Sequence, residues 1–519
     1  MALDRVRTTA GWVQGIPCGD PSFTVFKGIP YARPPIGERR WTAPEDPEPW
    51  EGIRRCDTFP PMAMQTRPLK GQFYQREWFP VELPMSEDCL YLSIWTPASV
   101  YEAPPDPDGQ EVPVEPFPVM MWIHGGAFQN GYGHEQEFDG EAFCRRGVIL
   151  VTVTYRLGAL GFFAHPALSR RSPHAVSGNY GILDQIHALR WIRENIAAFG
   201  GDPDNVTIFG QSSGGASVRT LAVSPLARGL FHKAIIQSAG GISRGRDLSL
   251  GDAESRGVTL CQEIGRDISQ LLSLTSDDFM ALVLEATPWR DRVGMWRPNV
   301  DGYVLDESPG QAIAHGRHAN VPYMTGSVAG DGGLGMGAPV GTKAAFEEMI
   351  RAQHGAYADR YLSLLEVQDD DSALVAQGRR SRVMPLAAPR TLAWAHVRQG
   401  RQPVYLYYFD RDVPGEDRPG AFHSSELWYV FGTLTRCWRP LTGVDYDISL
   451  AMTDYWTNFA KSGDPNGPSV PQWPAFSEER PVTMRINEKV VEAQDMSDVP
   501  LLREMEELML EEIFETPAE

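Results

Sequence analysis

The chain has 519 residues, 42% of them hydrophobic and 22% charged, with a net charge of −20 and a pI near 5.0. Such a composition buries a large core and excludes a disordered chain, while the negative field weighs against nucleic acid or an anionic membrane as natural partner. No apolar run approaches the roughly 20 residues a membrane helix requires, and Cys18, Cys56, Cys89, Cys144, Cys261 and Cys437 form no CxxC pair, which favours reduced thiols in a cytoplasm.

The opening Met1-Ala2-Leu3-Asp4-Arg5-Val6 has no apolar signal core, in keeping with that compartment, and runs into strand-like sequence. Ala103 to Pro118, rich in Pro, Asp and Glu, reads as a surface loop. Val119 to Ile123 is a continuous apolar run ending in His124-Gly125-Gly126-Ala127-Phe128, and Val148 to Tyr155 is a second such run. Runs of this kind suit strands of a mainly parallel sheet buried on both faces. From Gly181 to Phe199, the residues Leu183, Ile186, Leu189, Ile192 and Ile196 fall at the three- and four-residue spacing of an amphipathic crossover helix. A strand at 206–209, a helix from Ser212, a strand from Lys233 to Ser238, a broken region to about Asn320, a strand from Val321 to Gly326, helices, and a strand from Val404 to Phe409 follow. Alternation of this order predicts a doubly wound α/β sheet with helices on both faces. We expect one catalytic domain over 1–519, with helical insertions at about 240–320 and 333–400.

Gly210-Gln211-Ser212-Ser213-Gly214 lies between the strand Val206 to Phe209 and the helix-prone stretch to Val223. A serine on such a sharp strand-to-helix turn exposes its hydroxyl as a nucleophile. Gly241-Ile242-Ser243-Arg244-Gly245 matches the same pattern, but the polar, glycine-broken sequence after it offers no helix, so Ser243 reads as loop.

A serine nucleophile needs a histidine to take its proton and a carboxylate to orient that histidine, in the chain order serine, acid, histidine. Of the six histidines after Ser212, His232 comes too soon and His354 and His396 sit in helix-like stretches. His315 and His318 read as a solvated loop, not as metal ligands; no metal or cofactor is expected. His423 lies in a Gly-, Pro- and Ser-rich turn after the last strong strand, where a catalytic loop belongs. Asp331, in the glycine-rich segment from Gly326 to Gly333, leads for the acid; turn aspartates are common in such loops, and Asp306 and Glu307 compete. Gly125, Gly126 and Ala127 follow a strand without bulky side chains, so their amides, with that of Ser213 after the nucleophile, can face a developing oxyanion, although a plain turn would carry the same glycines.

Together these residues make the chain resemble the type B carboxylesterases, the cholinesterase-like branch of the α/β hydrolases that includes the bacterial para-nitrobenzyl esterase type. The resemblance runs from near Val6 to beyond Gly463 and rests on Phe26 to Ala32, Ser86 to Leu92, His124 to Phe128, Phe199 to Pro203, Phe209 to Gly215, and His423 to Leu427. It implies an α/β-hydrolase fold with Ser212 as nucleophile, His423 as base then acid, Asp331 as orienting carboxylate, and an oxyanion hole of Gly126, Ala127 and Ser213. Glu87 and Asp88 are similar to the family's structural charged pair.

Departures from the family pattern carry information too. Asp331 stands where glutamate is usual, so its loop must come closer to His423. Gln211 replaces a glutamate beside the nucleophile and removes support for a cationic substrate. The family's disulfide partner for Cys89 would fall near Ala63, so that bridge cannot form. Met295 and Trp296 occupy the stretch similar to the acyl-pocket loop, Arg292 to Pro298, without paired phenylalanines. With Gln211 and Phe128 they are the expected substrate contacts. The implied activity is a serine carboxylesterase acting with water on small, neutral, moderately hydrophobic esters; the alternatives are a non-catalytic adhesion or binding homologue, or a hydrolase of amides, carbamates or thioesters.

Overall fold

Five consecutive apolar residues leave a strand no polar face, and Val119 to Ile123 are completely buried. The computed structural model describes residues 3–18, 23–67, 70–79, 83–98, 115–242, 247–287, 294–333, 341–489 and 491–514. Ser243 and most of the acidic loop at 103–118 lie outside the described residues.

Two compact units divide the chain. The first comprises Met1–Lys233, Leu248–Asp306 and Trp456–Asp464. Its sheet runs in the order Ile16–Pro17, Thr24–Pro30, Tyr91–Thr96, Ile149–Val153, Phe117–Ile123, Gly201–Gln211. The first three pairings are antiparallel and the last two parallel. Val119 sits beside Ile149 on one side and Val206 on the other, so the buried faces of three strands coincide. Trp122 fills that layer, with Phe138 and Phe209 at ring separations of 4.9 and 4.8 Å. The crossover helix spans Tyr180–Asn195, one residue earlier than the periodicity predicts, and tightens into a 3₁₀ turn over Ile196–Phe199, where Gly200 at φ 82° reverses the chain. Its buried Asp184 receives the Arg156 guanidinium through two bonds of 2.8 and 2.7 Å, which fixes the helix to the loop after the Ile149–Val153 strand. The strand read at 206–209 runs from Gly201 to Gln211, because backbone pairing extends past the apolar residues that announce it.

The second unit comprises Ala234–Asp247, Glu307–Tyr455 and Pro465–Glu519. Lys233–Gln237 (all but its first residue), Tyr323–Val328, Val404–Phe409 and Thr483–Ile486 are parallel neighbours, and Val491–Gln494 adds an antiparallel edge. Tyr323–Val328 pairs along its full length with Val404–Phe409. Gly326 to Val328 are therefore strand, and the loop bearing Asp331 begins only at Ala329, as a 3₁₀ turn over Ala329–Gly333.

The 29-residue helix Asp370–Arg398 contains Pro385 and Pro389. Pro389 has no N–H to give to the carbonyl four residues back, and the Ser327 hydroxyl takes up that Pro385 carbonyl instead. A helix defect thus becomes an anchor for the strand that leads to Asp331. Phe346, Ile350, Tyr361, Val383, Leu386 and Met505 belong to the core around this helix. Among the described residues no helix is long and apolar enough to cross a membrane.

Candidate active site

Ser212 is held at φ 56° and ψ −123° between the strand Gly201–Gln211 and the helix Ser213–Val223. For a residue with a side chain this backbone is strained by about 1–3 kcal/mol, so the surroundings must impose it. They do so by crowding: a Cβ on Gly210 would lie 2.5 Å from the Gly214 carbonyl carbon, and one on Gly214 would fall on the Ile123 carbonyl. Only glycine at both positions lets the turn close. The buried Val218, Leu221 and Ala222 then carry the helix away into the core.

The segment after Ile123 lies against this turn. A Cβ on Gly125 would meet the Gln211 carbonyl at 2.8 Å and the Ser212 Cβ at 3.2 Å. Gly126 adopts φ 104°, Ala127 57° and Phe128 61°, and the Gly126 carbonyl accepts from the amides of Gln129 and Asn130. This left-handed run turns the chain so that the amides of Gly126 and Ala127 donate to no acceptor among the described residues. Ser213 is the first residue of its helix, where the amide has no intrahelical partner. His124 braces the run from behind. It is fully buried, its Nδ1 donates to the Gly125 carbonyl at 2.9 Å, its ring stacks on Tyr155 at 4.5 Å, and the Tyr155 hydroxyl donates to the His124 carbonyl at 2.8 Å. Burial lowers its pKa to about 4, so it stays neutral at working pH.

In the second unit, Asp331 Oδ1 lies 2.6 Å from His423 Nδ1, and Asp331 Oδ2 accepts the Val328 amide at 3.2 Å. The two loops are tied directly: the Gly330 amide donates to the Ala421 carbonyl at 2.8 Å, and a Cβ on Gly330 would fall on that oxygen. This close approach is what the shorter aspartate demands. Burial disfavours the charged imidazole, but the charge and hydrogen bond of Asp331 outweigh it and raise the His423 pKa above the ordinary histidine value. With Nδ1–H committed to the carboxylate, Nε2 is the nitrogen that accepts a proton. Of the competing acids, Glu307 pairs with Arg317.

Sequence reading passed over Glu426, three residues after His423. It is fully buried, accepts from Gln237 Nε2 at 3.3 Å, and its pKa is raised to about 7 by burial and by the negative charge of Asp331. The signal was present in His423-Ser424-Ser425-Glu426, where a carboxylate follows a histidine into an apolar helix.

His318 corrects the solvated-loop reading. It is buried, with Nε2 2.8 Å from Nε2 of His396 and its ring edge-on to Tyr323, so the pair belongs to the interior; His315 is exposed, as expected. Glu87 pairs with the buried Arg40 at 2.6 Å, whereas Asp88 accepts from the Tyr91 hydroxyl. Cys89 is buried and unbridged, and burial pushes its thiol pKa up. Gln211 is buried. Phe128 and Trp296 are buried and meet successive residues of one segment, Phe162 at 5.0 Å and Phe163 at 6.2 Å, while Met295 is half-exposed. Residues 292–293 of the acyl-pocket stretch lie outside the described residues. Among the described residues no group of three His, Cys, Asp or Glu side chains is placed to hold a metal ion.

The family model for the carboxylesterase family matches residues 3–500. The fumonisin B1 esterase of Sphingopyxis macrogoltabida is 33% identical over 482 residues, covering 90% of this chain and 84% of that protein. The para-nitrobenzyl esterase of Bacillus subtilis (strain 168) is 34% identical over 489 residues, covering 91% and 92%. A solved para-nitrobenzyl esterase superposes with a TM-score of 0.80 at 30% identity, covering 99% of this chain and 100% of that one. The architecture is that of an α/β hydrolase.

Proposed function

From the premise that this chain belongs to the carboxylesterase family and is a carboxylic ester hydrolase, we propose that Ser212, His423 and Asp331 form its catalytic triad. The observation that carries the assignment is the 2.6 Å bond between Asp331 and His423 Nδ1, joined in one chain with a serine held at positive φ. Ser212 Oγ attacks the ester carbonyl carbon while His423 Nε2 takes its proton. Negative charge develops on the carbonyl oxygen and is met by the amides of Gly126, Ala127 and Ser213. The alcohol leaves with the proton from His423, and a water deprotonated by the same nitrogen then frees the acid and restores Ser212.

Gln211 and the apolar Phe128, Met295 and Trp296 support a preference for neutral, moderately hydrophobic esters. We read the two units as parts of one catalytic domain with insertions at 240–320 and 333–400, supported by a family match that runs unbroken across both. Six unbridged cysteines support a reducing, cytoplasmic setting, and the acidic charge supports a small-molecule partner over nucleic acid. The decisive experiment is fluorophosphonate labelling alongside p-nitrophenyl ester turnover. Wild type should label at Ser212, and Ser212→Ala and His423→Ala should each lose turnover; retained turnover in either variant overturns the triad. Matched amide and ester substrates separate the esterase from an amidase.

A further inference from the structure

The loop that carries His423 leaves the sheet at Phe409 and enters a short helix at Leu427. At its base, Asp410 receives Arg485 at 2.9 and 2.6 Å and Arg411 reaches the buried Asp445 at 2.8 Å. Farther out the loop folds back through a bridge between Val413 and Gly420, and Arg418 is forced to φ 48°. Ser424, directly after His423, is also at positive φ, 75°. Local backbone preference opposes both turns, so another group must hold them.

Arg439 occupies that position. Its side chain is 1% exposed, and both terminal nitrogens bond the Asp417 carboxylate, at 3.0 and 3.1 Å. Its guanidinium lies 5.1 Å from the centre of the Phe422 ring and 4.6 Å from that of Trp438. A planar cation bonded edge-on to a carboxylate and face-on to aromatic rings has an orientation that a flexible ammonium cannot match. Phe422 is the residue before His423, and its neighbour Ala421 accepts the amide of Gly330 from the acid loop.

We propose that Arg439 is a positioning residue for the catalytic base: by holding Asp417 and the Phe422 ring together it sets the His423 backbone so that Nδ1 meets Asp331. The inference rests on the assignment of His423 as base. Arg439 touches neither substrate nor the reacting atoms, and it acts only through the loop.

The test compares Arg439→Ala, Arg439→Lys and Asp417→Asn with wild type, each corrected for active sites by fluorophosphonate titration so that loss of folded enzyme does not count, and with His423→Ala, compared per mole of folded protein. Misplacement of a catalytic group by about 1 Å costs on the order of a hundredfold, so Arg439→Ala should lower kcat per titrated site by about ten- to a hundredfold with KM within about twofold. Arg439→Lys, which keeps the charge without the fork, should recover part of the loss. The charges acting on His423 are those of Asp331 and Glu426. Weakened contact with Asp331 lowers the His423 pKa, so the acid limb of kcat/KM should move to lower pH in Arg439→Ala. Unchanged kcat per site and an unmoved acid limb overturn the proposal, whatever the variant does to thermal stability. If Arg439→Ala does not fold, Arg439→Lys and Asp417→Asn carry the same readouts. Retained activity in His423→Ala would instead remove the base assignment itself.

Discussion

The proposed nucleophile and the proposed acid–base pair are built by opposite means. Ser212 and the Gly125 to Ala127 segment are shaped by backbone contact within one unit: glycines permit approaches that any Cβ would block, and a strained φ at Ser212 is imposed by its neighbours. Asp331 and His423 are joined by side chains 92 residues apart and by a backbone bond between their loops. One half depends on the absence of side chains, and the other on the chemistry of particular ones. Substitutions should therefore fail differently, by steric exclusion in the first half and by lost orientation or charge in the second.

The largest effect expected is on the nucleophile: Ser212→Ala should cost about 10⁴-fold or more in turnover, read with a p-nitrophenyl ester, and a loss below about tenfold would remove Ser212 from the reaction. Asp331→Asn should cost on the order of 10⁴-fold, because it leaves the imidazole in the wrong tautomer. A rate within about tenfold of wild type would transfer the acid role to another residue, Glu426 first. Gly126→Ala should lower kcat by about 10²- to 10³-fold, the usual cost of a lost oxyanion donor, since the new methyl falls on the Asn130 carbonyl. Wild-type kcat in that variant would show that the oxyanion loop tolerates a different turn.

The pH profile separates the halves further. His423 acts as base only when neutral, and its pKa lies above the ordinary 6.5 because Asp331 overcomes burial. Protonation as pH falls through that raised value should remove activity, and kcat/KM that stays flat from about pH 5 to 8 would contradict the assignment. The smallest effect is Glu426→Gln. Ionised Glu426 raises the His423 pKa, so the neutral amide should shift the acid limb to lower pH while leaving the plateau rate within a fewfold. A limb that does not move would mean that Glu426 is only a buried packing group.

The first half was legible because its causes are local. Strand, glycine, serine, glycine and helix are adjacent in the chain, and the overlapping requirements at Gly210, Ser212 and Gly214 leave few alternatives. The order of elements was legible for the same reason, since apolar runs such as Val119 to Ile123 have only one environment in which to sit. The second half was legible only in part. Position selected His423 and Asp331, but nothing near either residue in the chain announces the 2.6 Å bond between them. The buried pair of His318 and His396 was missed because a histidine three residues from an exposed one gives no sign of a partner 78 residues away.

By itself the sequence determined the α/β architecture, the strand-to-helix turn that carries the proposed nucleophile, and the glycines packed beside it, because apolar periodicity and backbone sterics act between neighbours in the chain. Tertiary structure alone decided how Asp331 reaches His423 despite its missing methylene, why Glu426 has a pKa near 7, and what Arg439 holds. Those outcomes depend on burial and on hydrogen bonds between distant segments, which exist only after the chain has folded.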